Sequence, residues 1–124
     1  MDDFKDVFLE EAPEMLESWE YHCLKLEKDL TNMEIINALF RTVHNLKGSS
    51  KSFNFDAFGD FVHIVENILT LAKDQNLQLT QEHISILLRA QSHLSTWLES
   101  IDDDPGCQSE NPELESELKE LASF

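Results

Sequence analysis

Ile35-Ile36-Asn37-Ala38-Leu39-Phe40-Arg41-Thr42-Val43-His44-Asn45-Leu46-Lys47-Gly48-Ser49-Ser50-Lys51-Ser52-Phe53-Asn54-Phe55 is the stretch on which the fold turns. Ile36, Leu39, Val43, Leu46, Ser50 and Phe53 recur at alternating steps of three and four, the spacing of one helix face turned to a core. Thr31, followed three residues later by Glu34, predicts a capping box, so this helix should start near Asn32 and run to about Phe53. Asn54 tolerates the left-handed conformation that ends helices, and Asp56 suits the start of the next.

The same periodicity extends in both directions. Upstream, Phe4, Phe8, Ala12, Met15, Trp19, Cys23, Leu26 and Leu30 draw one stripe, interrupted at Pro13, where either a kink or a restarted helix is expected. Downstream, a third helix over about 56–74 carries Phe58, Phe61, Val65, Ile68 and Ala72, widened by Val62 and Leu69. Thr80 offers a cap to a fourth, with Ile84, Leu87, Gln91, Leu94, Leu98 and Ile101 as its stripe. Three glycines, three prolines and no run of alternating β-branched residues argue against sheet.

The fold class is therefore all-α, an antiparallel four-helix bundle over 1–103. Asp102-Asp103-Asp104-Pro105-Gly106 is a stop, and 104–124 forms a loop followed by a short fifth helix or by the start of a linker. For the helical alternative, Asn111 caps, Pro112 opens, and Leu114, Leu118 and Leu121 lie on the bundle.

A single domain of 124 residues buries enough surface for a core without metal or disulfide. Cys23 and Cys107 lack the spacing of redox or metal motifs and are expected as reduced thiols. No apolar run reaches bilayer length, and the acidic Met1-Asp2-Asp3 start is unlike a targeting peptide, which predicts a cytoplasmic protein. Twenty-five acidic against nine basic residues, a net charge of −16, exclude nucleic acid and anionic membrane as expected partners.

Against that background, the window from Ile35 to Phe55 has no Asp or Glu, where about four would be expected. Arg41, His44, Gly48 and Lys51 share one face beside the core stripe, with Lys47 one turn from His44, so a positive patch surrounds one histidine. Gly48 costs about 1 kcal/mol relative to alanine and fills no core position; it marks a docking surface, or it is an ordinary tolerated glycine.

On the third helix His63 and Glu66 are neighbours flanking the apolar stripe, and antiparallel packing would bring them to His44. A carboxylate holding Nδ1–H leaves Nε2 as the nucleophile, and Lys47 can balance phosphoryl oxygens. A solvated helix face is the plainer reading of His63 and Glu66 alone. Phe40, one turn before His44, serves either an apolar docking rim or bundle packing.

His22, His83 and His93 are expected on helix surfaces or margins, and Trp19 and Trp97 in or beside the core.

Taken together, Phe40-Arg41-Thr42-Val43-His44-Asn45-Leu46-Lys47-Gly48-Ser49-Ser50, then Phe53-Asn54-Phe55 and His63-Ile64-Val65-Glu66-Asn67-Ile68-Leu69, closely resemble the histidine phosphotransfer (HPt) domain, in particular the N-terminal phosphotransfer domain of CheA-type chemotaxis kinases. Phe8-Leu9-Glu10-Glu11-Ala12 fits that family's opening helix. The resemblance implies that His44 is phosphorylated, that Glu66 is its hydrogen-bond partner, that Lys47 and His63 complete the polar network, and that Gly48 opens the docking face, for which Phe40, Arg41 and Lys51 are further candidates.

It also implies a domain without kinase activity of its own, monomeric in isolation. Such a domain receives phosphate from a histidine kinase catalytic domain, in cis or in trans, and passes it to an aspartate of a response regulator receiver domain. No cofactor or metal is expected on it; ATP and Mg²⁺ belong to the partner domains, and the chain has no Gly-rich phosphate loop. Two other classes compete. His44, His63 and Glu66 are a set that zinc could accept, although Lys47, Arg41 and Lys51 oppose a dication. A non-catalytic acidic adaptor bundle is the other.

Overall fold

The computed structural model describes residues 2–74, 77–104 and 106–122. Over these the stripes become α1 (Asp2–Lys28), α2 (Met33–Ser52), α3 (Asp56–Asp74), α4 (Gln81–Asp103) and α5 (Pro112–Ala122), with no strand among the described residues. The side chain of Phe4 and all of Pro105, both named above, lie outside the described residues.

The helix ends follow local chemistry, with one correction. Asn32, and not Thr31, caps α2, its Oδ1 accepting from the amide of Ile35 at 3.2 Å. Thr31 is engaged upstream: its hydroxyl donates to Asp29 Oδ1 at 2.7 Å and its amide to the same oxygen at 3.1 Å. An ionised carboxylate two residues back is the stronger acceptor, so the expected box does not form and the cap shifts by one residue.

At the other end of α2, Asn54 adopts φ 69°. The amide of Phe55 reaches Ser50 O at 2.7 Å and that of Asn54 reaches Lys51 O at 3.2 Å, the paired bonds of a Schellman motif. Left-handed backbone costs a β-branched residue about 1–2 kcal/mol. Asn54→Val is accordingly expected to lower stability by about that amount and Asn54→Gly to preserve it; equal denaturation midpoints for the two variants would contradict this.

Thr80 caps α4, and its amide donates to His83 Nδ1 at 3.0 Å. This box has histidine where Glu or Gln is usual, which corrects the surface placement expected for His83: the ring is buried, and that burial lowers its pKa. His22 and His93 are half-buried.

Contacts along the elements fix their directions. Phe8 meets Phe53 while Ser18 meets Thr42, so α1 and α2 are antiparallel. Lys51 pairs with Asp60 while Lys47 pairs with Glu66, so α2 and α3 are antiparallel too. Trp19 Nε1 donates to Leu87 O at 3.1 Å, Gln91 Nε2 to Leu16 O at 3.0 Å and Gln81 Nε2 to Glu27 O at 3.0 Å, which sets α4 antiparallel to α1. α5 packs on α3 and α4 through buried Leu114 and Leu118. Its approach is tied down by Trp97 Nε1 donating to Cys107 O and His93 Nε2 donating to Ser109 O, both at 3.2 Å.

The core contains the predicted stripes of α2, α3 and α4 from Ile36 to Ile101, apart from half-buried Phe53 at the end of α2. On α1 Leu16 is buried in place of the expected Met15, which is half-buried, as is Leu30 just beyond the helix. Both Met15 and Leu16 satisfy helical spacing from Ala12 and Trp19, and Leu16 is the one on the side that meets α4, whose Gln91 Nε2 donates to its carbonyl. α1 runs through Pro13 without restarting. Pro13 is exposed between buried Ala12 and Leu16, so packing on either side holds the helix together across the missing amide.

Candidate functional site

Antiparallel packing of α2 on α3 creates rungs of facing side chains. His44 stands opposite Glu66, and Lys51 opposite Asp60. Close approach near the lower rung depends on Gly59, where a Cβ would lie 2.9 Å from Lys51 Cγ and 3.3 Å from Ser50 Cβ. Ser50 itself can sit in the core because its hydroxyl donates to Leu46 O at 2.6 Å.

At the central rung His44 Nδ1 is 2.5 Å from Glu66 Oε2, Lys47 Nζ donates to Glu66 Oε1 at 2.8 Å, and His63 Nε2 lies 3.8 Å from Oε1. The four residues singled out in the sequence are thus one cluster. Glu66 is more enclosed than its predicted place flanking the stripe: its side chain is 9% exposed, against 57% for His44 and 52% for His63. A carboxylate so enclosed is costly unless its oxygens are engaged, and here both are.

The geometry assigns the imidazole proton. A carboxylate can only accept from a neutral ring, so Nδ1 carries the hydrogen and donates, leaving the lone pair on Nε2 of a largely exposed side chain. Burial by itself would raise the Glu66 carboxyl. Hydrogen bonds from Lys47 and His44, with the Lys47 charge, outweigh it and hold the group below its ordinary value of 4.5. Because the native value is the lower one, the unfolded chain takes the proton first. Glu66's contribution to stability is then full above the unfolded value and lost as pH falls through the native one. Thermal melts from pH 7 to pH 3 are expected to show the gap between wild type and Glu66→Gln closing with acid; a gap constant with pH would contradict the assignment.

Of the docking candidates, Arg41 and Gly48 are exposed, and a Cβ at Gly48 would meet nothing within 4 Å. Among the described residues, nothing within the domain therefore requires that glycine. Lys51 is bound to Asp60. The Phe40 ring lies 5.9 Å from that of His44 with an interplanar angle of 9°, and Lys73 Nζ is 5.1 Å from the Phe40 centroid.

Asp60, Gly59 and Lys73 were not singled out in the sequence. The antiparallel register was the available signal for Asp60, since Lys51 and Asp60 sit symmetrically about the α2–α3 turn as do His44 and Glu66. Among the described residues no three His, Cys, Asp or Glu side chains form a group able to hold a metal. Glu66 Oε1, which the zinc reading needs, is taken by Lys47. No helix among the described residues is long and apolar enough to cross a membrane. The groove floored by Leu9, Leu16 and Leu98 and rimmed by Glu17, Glu20, Glu99 and Asp102 lies between α1 and α4, apart from this cluster.

Fold and site together define a helical bundle that presents one carboxylate-oriented histidine on an open helix face. The family model described as the Hpt domain matches residues 3–123, and the chain belongs to that family. The chemotaxis protein CheA of Bacillus subtilis (strain 168) is 33% identical over 103 residues, which cover 83% of this chain and 15% of that protein.

Among solved structures, the phosphorylated P1 domain of CheA3 in complex with CheY6, from R. sphaeroides, superposes with a TM-score of 0.89 at 23% identity, covering 99% of this chain and 98% of that one. The CheA phosphotransferase domain from Thermotoga maritima gives 0.76 at 28% identity, over 81% of this chain and 95% of that one. The chain spans about a sixth of the length of the curated relatives it matches.

Proposed function

We propose that this domain is a phosphoryl carrier of a chemotaxis-type two-component system, with His44 as the carrier residue. The observation that carries the reading is the Nδ1–H to Glu66 hydrogen bond on a histidine whose ring is otherwise largely exposed. The Nε2 lone pair attacks the phosphorus of the donor, the new P–N bond forms, and the donor's bond to its leaving group breaks with the electron pair departing on that group. Nδ1 keeps its proton throughout, and Glu66 stabilises the positive charge that the ring acquires. In the return step a carboxylate oxygen of the acceptor attacks phosphorus and the P–N electron pair returns to Nε2.

Lys47 anchors Glu66 and brings a positive charge near the transferring group. His63 lies beside the same carboxylate. Phe40, Arg41, Gly48 and Lys51 make up the face on which partners dock.

The donor we propose is the ATP-binding domain of a histidine kinase, and the acceptor an aspartate of a response regulator receiver domain. ATP and Mg²⁺ are then held by those partners. The family membership supports this reading, as does the neighbour whose P1 domain is in complex with CheY6.

The test is intact-mass analysis after incubation with a small phosphoramidate, with and without acid treatment, followed by addition of a receiver domain. The expected result is one acid-labile phosphoryl group in the wild type, none in His44→Gln, and its loss from the carrier as the receiver gains it. A labelled His44→Gln protein would overturn the assignment.

A further inference from the structure

A single hydrogen bond at Nδ1 leaves the His44 ring one freedom, rotation about the line from Cβ to the Glu66 oxygen, which would swing Nε2 through an arc. The Phe40 ring flanks the imidazole one helical turn away, 5.9 Å between centroids and within 9° of parallel, on a side where it can limit that swing. Phe40 is held in turn. Lys73 Nζ lies 5.1 Å from its centroid and donates to Asp74 Oδ1 at 2.9 Å, while Glu66, Thr70 and Lys73 follow one another along the same face of α3, Thr70 bonding back to Glu66 O at 2.9 Å. The next rung beyond His44 and Glu66 is therefore Phe40 and Lys73.

We propose that Phe40, steadied by Lys73, is a positioning residue for His44: its stacked ring fixes the imidazole plane and so the direction in which Nε2 meets phosphorus. This inference rests on the phosphoryl-carrier reading for its consequence, though its geometric part can be measured without it. Loosening the plane weakens the Nδ1–H bond to Glu66, so the free ring drifts toward the Nε2–H tautomer, whose nucleophilic nitrogen is blocked.

The experiment compares Phe40→Leu, Phe40→Tyr and Lys73→Gln with wild type in two readouts: the saturating rate and KM of phosphorylation by a small phosphoramidate, and the ¹⁵N chemical shifts of His44. A small donor has no docking surface, so a role confined to partner binding would leave its rate untouched. Phe40→Leu is expected to slow the saturating rate by about three- to tenfold at unchanged KM. It should also move the ¹⁵N shifts toward the Nε2–H form. Phe40→Tyr should restore both to near wild type, and Lys73→Gln, which leaves the core untouched, should move both in the Leu direction by less. Wild-type rate and shifts in folded Phe40→Leu would overturn the proposal. Failure of the carrier reading is distinguishable: wild type would take no phosphoryl group while the tautomer shift in Phe40→Leu persisted.

Discussion

Glu66→Ala is expected to slow phosphorylation of His44 by about 100-fold, and Glu66→Gln by about tenfold. The two variants separate what the carboxylate does. Glutamine keeps the volume and one oxygen that can accept from Nδ1, but its NH2 then faces Lys47 in place of the second carboxylate oxygen, and it carries no charge to offset the positive ring that forms with the P–N bond. Alanine removes the acceptor as well and leaves Lys47 without the oxygen 2.8 Å away that anchors it. Quenched-flow phosphorylation by the cognate kinase domain measures both. Rates within twofold of wild type for Glu66→Ala, with the fold intact, would show that the hydrogen bond is incidental.

Trp19→Ala is expected to be the most damaging single core change, costing about 3–5 kcal/mol and lowering the melting temperature by about 10–20 °C. Trp19 is fully buried, and its indole N–H is bonded across the bundle to Leu87 O. Truncation opens a large cavity and also leaves that carbonyl without its cross-helix donor. Trp19→Phe refills most of the volume but not the bond, so its loss should be smaller. Urea titrations of both variants give the comparison; an equal loss for phenylalanine and alanine would mean that the hydrogen bond, not the volume, dominates.

The sequence made most of this legible because both fold and site depend on spacings of three and four. Ile36 through Ser50 and Phe58 through Ala72 became buried faces in the predicted registers. The two faces carried His44 and Glu66 to one another once the helices were set antiparallel. What spacing could not decide depended on neighbours. Met15 and Leu16 fit the same helix equally well, and Leu16 is the one on the side that meets α4. Thr31 and Asn32 are both good caps, and Asp29 takes the first. Pro13 would stop an isolated helix, yet flanking burial carries α1 through it. His83 reads as a surface residue until its ring is seen accepting the Thr80 amide. The burial of Glu66 was similarly hidden, since a carboxylate enters an interface only when a partner such as Lys47 is already placed to meet it.

In the proposed carrier, Glu66 holds Nδ1–H and so presents Nε2 of His44 as the phosphoryl acceptor. Phosphorylating the ¹⁵N-histidine-labelled protein and recording ³¹P–¹⁵N and ¹H–¹⁵N correlations tests it most directly. A single adduct is expected, on Nε2 of His44, with Nδ1 still protonated. An adduct on Nδ1 of His44, or on His63, would contradict it.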